Sequence, residues 1–319
     1  MSSQPRKVRA ARLVQHGSPL VVEEVALQEP GPDEVVVELA YAGVNPVDRY
    51  GVQGLVAPDV PLPRTIGVEA SGTVGSRRVT VHGYGLGTTR QGLWSEAAVV
   101  PEAALVEVPD GVDLAAAAGV RVAGVTSWRL VTEFAGVVST DRVLVLGAAG
   151  GTGSVIVSAI HGIGATVWAQ TNDESKRSWV EQRGADKVVV CDADGLAAAI
   201  SDLSPNVIFD PLGNGYTAAA IDAASQKGRI MLYGTSAGAR GDLPLQPVYR
   251  KGLTLYGYAG LQEPEESLKA ASARALQAMA EGKLELAVDS RVPLSKVNDA
   301  LSRLEHRDVL GKLVLDLHA

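Results

Sequence analysis

The stretch "LVLGAAGGTGS" (144–154) ends an apolar run in a cluster of small residues. Gly150, Gly151 and Gly153 carry no Cβ, so the backbone there can approach an anion closely and a following helix can pack tightly on the strand before it. A helix starting near Gly153 would aim its unbonded N–H groups and the positive end of its dipole at that anion. Strand, glycine turn and helix together predict a pyrophosphate cradle lined by Ala149, Gly150, Gly151, Thr152 and Gly153, with a dinucleotide as its ligand. The end of the next apolar run decides which dinucleotide. An acid there would accept both ribose hydroxyls of NADH, but "TVWAQT" (166–171) ends in Gln170 and Thr171. Lys176 and Arg177 then open the next helix-like stretch, where cations suit a 2′-phosphate. The predicted cofactor is therefore NADPH, with Thr171, Lys176 and Arg177 around its adenosine end. Against this stand Asp173, which argues for NADH, and the plain alternative that the two cations only decorate a solvated helix face.

Other reactive types are sparse. The five histidines (His16, His82, His161, His306 and His318) show no paired ligand spacing, so no metal is expected. Cys191 is the single cysteine, which excludes an internal disulfide. With no His or Lys apparent beside it, it reads as an apolar filler and not as a nucleophile. The formal charge is −7 and no block of Lys/Arg offers a track for phosphates, which argues against nucleic acid. No apolar segment follows Arg6, Lys7, Arg9 and Arg12 to make a signal peptide, and no run of about 18 apolar residues predicts a membrane span. A cytoplasmic protein is expected.

The elements that must position these residues fall into three textures. A chain of 319 residues allows about two domains. Residues 1–121 are rich in Val, Gly and Pro, with short apolar runs such as "EVVVELAYAGV" and "WSEAAVV" that read as strands. Residues 122–257 alternate apolar runs ("RVLVLGA", "ATVWAQT", "DKVVVCD", "NVIFDPL", "GRIMLYG") with helix-like stretches, the rhythm of a parallel sheet covered on both faces. Residues 258–319 return to mixed structure. There "PEESLKAASARALQAMAEGK" predicts an amphipathic helix with Leu268, Ala271, Ala275 and Met279 inward. "PLSKVNDALSRLEHRD" predicts a second, capped by Ser295 with Val297, Ala300, Leu301 and Leu304 inward, and "GKLVLDL" a last strand.

Several further motifs accompany "LGAAGGTGS": "PGPDEVVVELAYAGVNPVDRY" (30–50), "GVEASGTVG" (67–75), "LVEVPDGVDLAAAAGV" (105–120), "GVTSW" (124–128) and "VLGKLVL" (309–315). In this combination the chain resembles the zinc-free quinone oxidoreductase (zeta-crystallin-like) group of the medium-chain dehydrogenase/reductase superfamily. The resemblance implies an α/β fold: a Rossmann doubly wound parallel sheet domain over 122–257, and a mostly-β GroES-like catalytic domain built from 1–121 and 258–319. It places Asn45 and Val68 where zinc-dependent relatives have Cys and His ligands, with Glu69 retained. It carries over Asn45 as a residue at the nicotinamide and acceptor, and Asp48 as the residue that orders its loop. Tyr50 is either a proton donor or a packing residue. Thr126 is either a neighbour of the nicotinamide or an N-cap or helix-packing residue. Gly213 and Gly234 border the cofactor. Ser236 touches it or is a plain loop serine; Lys312 lies near the cofactor or cleft, or is a solvated strand lysine.

The resemblance implies hydride transfer without a Lewis acid, which suits acceptors that take hydride readily: quinones and α,β-unsaturated carbonyl compounds. It also implies a homodimer through the sheet edge, with "GLTLYGYAG" (252–260) as the candidate edge strand. Three features depart from the pattern. Residues 76–98 are compressed, Cys191 stands where many relatives have an aromatic, and Val56 stands where enoyl-thioester reductases often carry a proton-donating tyrosine. The alternatives are a specialised enoyl reductase of a biosynthetic pathway, and a cofactor-binding protein with little catalysis.

Overall fold

A computed structural model describes residues 5–319. The chain divides into two compact units. The first runs to Val125 and takes in Pro264–Ala280 and Leu286–Ala319; the second comprises Thr126–Glu263 and Glu281–Glu285.

The first unit begins with β1 (Lys7–Leu13), β2 (Val21–Ala26), β3 (Glu34–Gly43), β4 (Arg64–Thr65), β5 (Glu69–Val74), β6 (Arg77–His82), β7 (Ala97–Pro101) and β8 (Leu105–Glu107). The second holds β9 (Arg142–Val145), β10 (Thr166–Thr171), β11 (Lys187–Val190), β12 (Val207–Asp210), β13 (Arg229–Leu232) and β14 (Thr254–Gly257). The chain then adds β15 (Val288–Pro293) and β16 (Lys312–Asp316) to the first unit.

In the first unit β1 pairs antiparallel with β2 and β4. A larger sheet follows the order β15-β16-β3-β5-β6-β8, with β7 also on β3. Val37 and Leu39 of β3 point into the core while Glu38 between them is exposed, the two-residue period of a half-buried strand. Register decides which residues meet at the end of β3. Ala42 faces Ala70 of β5, and Val314 of β16 faces Gly43. Continued by one or two residues, these pairings bring Glu69 beside Gly43 and Lys312 beside Asn45; the Val44 N–H to Leu313 O bond of 3.1 Å extends the second ladder.

The second unit is a six-stranded, all-parallel sheet in the order β11-β10-β9-β12-β13-β14. Its core is aliphatic, with Leu144, Leu146, Ile208, Ile221 and Ile230 fully buried. The strand order reverses between β9 and β12, so their C-terminal ends open the crevice where sheets of this type take ligands. "GLTLYGYAG" supplies β14 at one edge.

Two sequence expectations change. Ser295 does not cap the last helix: Leu294–Lys296 form a tight 3₁₀ turn after Pro293, and the helix runs Val297–Glu305 with Lys296 at its N-cap position. Met279 is only half-buried in the helix Glu265–Ala280, where Ser272 and Leu276 join Leu268, Ala271 and Ala275 on the inward face.

Candidate functional site

In the first unit three strand ends converge on one buried polar cluster. Asn45, Glu69 and Lys312 are 2%, 0% and 3% exposed. The Lys312 ammonium donates to Glu69 Oε1 at 2.7 Å, to Val44 O at 3.3 Å and to Asn45 Oδ1, so its three protons are all used. Asn45 Nδ2 donates to Glu69 Oε1 at 2.8 Å, and the Val122 N–H donates to Glu69 Oε2 at 2.9 Å. Lys312 is thus neither a solvated strand lysine nor a side chain with a proton left for a further partner.

Asp48 stands behind this cluster. Its carboxylate accepts the Asn45 N–H at 2.9 Å and the Val68 N–H at 3.1 Å, tying the two loops that carry Asn45 and Glu69. Burial pushes its carboxyl up to about 7; the Lys312 charge and the bonds from Asn45 pull the other way, while Glu69 adds to the rise. Tyr50 lies on the following helix, Pro46–Val52, half-buried with the Arg49 guanidinium 5.7 Å from its ring centroid.

In the second unit the turns after β9, β12 and β13 stack at the C-terminal edge of the sheet. The helix Gly151–Ile163 begins with Gly150 at its N-cap, where no side chain caps the first N–H groups. A Cβ on Gly150 would meet only Gly147 O at 3.4 Å, whereas one on Gly153 would stand 2.4 Å from Gly147 O and 2.9 Å from Ala148 Cα. Gly153 therefore provides the close helix-to-strand packing, and Gly150 leaves the front of the turn open. Gly213 has φ +73° and faces Gly238 O, and Gly234 lies against Pro211. Ser236 is exposed, with its N–H and hydroxyl both donating to Pro211 O. Thr126 is half-buried within the helix Val125–Arg129 and so is not an N-cap; its neighbour Ser127 donates to Thr152 O of the glycine turn at 3.1 Å.

The residues after β10 divide. Thr171 is buried and its hydroxyl accepts the Asp173 N–H, while the Asp173 carboxylate caps Ser175. Lys176 ends the turn Glu174–Lys176 and is half-buried. Arg177 is already engaged: Glu174 accepts from Nε and Nη2, and Val188 O from Nη1 at 2.6 Å. Cys191 is half-buried against the aliphatic core, and burial pushes its thiol up, away from thiolate chemistry.

Sequence reasoning passed over three residues. Gly147 makes the turn itself, at φ +61°. Gln170 is buried and locks that turn, accepting the Gly147 N–H at 3.0 Å and donating to Cys191 O at 2.7 Å. Asp210 is fully buried and builds the turn after β12, accepting from Leu212 N, Gly213 N and Thr217 Oγ1. Gly147 had a signal in being the first glycine after the strand. Gln170 and Asp210 had only their position at the ends of parallel strands.

Two family models match the chain: the alcohol dehydrogenase GroES-like domain over residues 31–110 and the zinc-binding dehydrogenase domain over 183–315. The chain is 28% identical to quinone oxidoreductase-like protein 2 of Mus musculus, covering 98% of this chain and 93% of that protein. It is 26% identical to a quinone oxidoreductase of Pseudomonas aeruginosa, over 94% of this chain and 97% of the relative. A crystal structure of an NAD-dependent alcohol dehydrogenase superposes with a TM-score of 0.87 at 28% identity, covering 97% and 99% of the two chains. The positions that the resemblance matches to zinc ligands carry other chemistry. Asn45 offers a carboxamide and Val68 a hydrocarbon, and Glu69 is bound to an ammonium. Among the described residues no group of three His, Cys, Asp or Glu side chains could hold a metal ion. The glycine turn, in contrast, fits a dinucleotide by its uncapped N–H groups and open front. With its parallel Rossmann sheet, its matches to the GroES-like and zinc-binding dehydrogenase domains and these relatives, the chain is a homologue of the quinone oxidoreductases of the medium-chain dehydrogenase/reductase superfamily.

Proposed function

We propose that this oxidoreductase uses NADPH, without zinc, to reduce a quinone or an α,β-unsaturated carbonyl compound. The observation that carries the reading is the Asn45–Glu69–Lys312 cluster: where zinc-dependent relatives have ligands this chain has a carboxamide and the hydrocarbon Val68, and the retained Glu69 is bound by the Lys312 ammonium. Without a metal to polarise it, the acceptor must take hydride readily, which quinones and enones do. A nicotinamide cofactor, when bound, would supply the hydride that the acceptor takes. Negative charge then gathers on the conjugated oxygen, where the Asn45 amide can donate. A proton from water or from Tyr50 completes the reduction. Gly150, Gly151, Thr152 and Gly153 would hold the pyrophosphate, with Ala149, Thr126, Gly213, Gly234 and Ser236 as neighbours of the cofactor.

For the adenosine end, Lys176 supports the 2′-phosphate, while Arg177 would have to leave Glu174 to take part. The protein acts in the cytoplasm as a homodimer paired through β14; no helix among the described residues is long and apolar enough to cross a membrane. Titration with NADPH and with NADH, followed by nicotinamide fluorescence, tests the cofactor. The expected result is NADPH affinity at least tenfold above NADH, a gap that Lys176→Ala closes. Stronger NADH binding would overturn the cofactor assignment, and absence of turnover with quinones and enones would overturn the acceptor class.

A further inference from the structure

The Asn45 carboxamide has one orientation open to it. An ammonium only donates and a carboxylate only accepts. Lys312 must therefore face Oδ1 and Glu69 must face Nδ2, as they do. Turning the amide over would set its NH₂ against the ammonium and its oxygen against the carboxylate, with two charge-assisted bonds lost. We propose that Lys312 and Glu69 are positioning residues: they lock the Asn45 carboxamide so that one Nδ2 proton is committed to Glu69 and the other is left to donate to the acceptor's oxygen. This inference rests on the reductase reading above.

The lock is itself held from behind. Glu69 Oε2 is pinned by the Val122 N–H, so the carboxylate cannot rotate away. The Asn45 N–H is fixed by Asp48. Space for the charged groups exists only because two neighbours lack a Cβ. One on Gly43 would stand 2.2 Å from Glu69 Oε1, and one on Gly119 would stand 2.9 Å from Lys312 Cε. The ammonium also draws electron density from Oδ1, which strengthens the remaining Nδ2–H as a donor. Lys312 acts on the reaction only through Asn45, because Val44 O, Asn45 and Glu69 use all its protons.

The test compares wild type with Asn45→Ala, Lys312→Met, Lys312→Met/Asn45→Ala and Lys312→Met/Glu69→Gln. The assays are turnover of 1,4-benzoquinone by NADPH, NADPH affinity, and the ¹⁵N–¹H resonances of the Asn45 side chain. The double change Lys312→Met/Glu69→Gln removes both charges together and guards against simple unfolding. Asn45→Ala is expected to lower kcat about 10²-fold, as loss of one oxyanion donor does. Lys312→Met and Lys312→Met/Glu69→Gln should lower kcat at least tenfold with NADPH affinity unchanged. Lys312→Met/Asn45→Ala should be no slower than Asn45→Ala alone. The two Nδ2 protons should be well separated in wild type and converge in Lys312→Met/Glu69→Gln. Losses that multiply in the Lys312/Asn45 double variant, or a Lys312 effect on NADPH affinity, would overturn the positioning role. An Asn45 amide signal indifferent to Lys312 and Glu69 would overturn the lock whatever the activity. A wild type that turns over no quinone or enone would sink the reductase reading separately, with the amide signal still deciding the lock.

Discussion

At the residue scale the governing fact is the burial of three ionisable groups, Asp48, Glu69 and Lys312, within one unit. A buried ion pair returns its desolvation cost only with good geometry and satisfied lone pairs, which the 2.7 Å contact and the Val122 and Asn45 bonds supply. One ammonium therefore serves two carboxylates, and Asp48 is the one without direct contact to it. Its carboxyl titrates near 7 in the folded protein, against about 4 for an ordinary unfolded aspartate. Between those values the unfolded chain has released the proton and the folded protein still binds it. Stability should therefore fall as pH rises from about 4 to about 7 and level off above, by about 4 kcal/mol at most for a gap of that size. Asp48→Asn cannot titrate, so the difference between wild type and this variant isolates the effect. Urea unfolding at pH 4.5, 6 and 8 measures it. A difference independent of pH would show that Asp48 stays ionised, held by its two backbone N–H donors.

At the element scale the glycine turn separates packing from binding. Gly153→Ala pushes a methyl into Gly147 O and the Ala148 backbone, so the helix Gly151–Ile163 must move off β9. A loss of about 1–3 kcal/mol of stability is expected, together with at least a tenfold loss of cofactor affinity. Gly150→Ala has room behind it and projects into the open front of the turn. Stability should change by less than about 1 kcal/mol while cofactor affinity still falls. Denaturation and nicotinamide fluorescence on both variants check the contrast; equal stability losses would mean the turn is packed on both sides. What the sequence made legible here was local. Apolar runs of period two or near-continuous Val/Ile/Leu marked the strands, and glycines marked the turn. The partners that lock these turns were not legible, because they meet across the fold. Lys312 reaches Asn45 and Glu69 over 267 and 243 residues of chain, and Gln170 reaches the Gly147 turn from the next strand. Arg177 is the local case: its fork is engaged by Glu174, only three residues earlier in the chain.

At the scale of the whole molecule, β14 is an edge strand, paired among the described residues only with β13. In a parallel ladder alternate residues bond the same neighbour. The Thr254 and Tyr258 N–H groups donate toward β13, to Gly228 O and Leu232 O, so the N–H groups of Leu255 and Gly257 face outward, unpaired within the sheet. An edge of this kind is a template for a second strand unless something covers it. Nearby, Leu245 and Tyr249 are 71% and 69% exposed, an apolar surface that also favours association. A homodimer through this edge makes one sharp demand: the outward N–H of Gly257 must be used by the partner. A Cβ at Gly257 meets nothing within 4 Å, and its N–H is not one of those bonded to β13, so a proline there removes no bond of the β13 ladder. Gly257→Pro should therefore leave the protomer folded while raising the dimer dissociation constant at least tenfold, about 1.4 kcal/mol. Sedimentation velocity across a concentration series reads this directly, with circular dichroism as the check on folding. A wild type that sediments as a monomer, or a dimer indifferent to the proline, would place the partner surface elsewhere or remove the need for one.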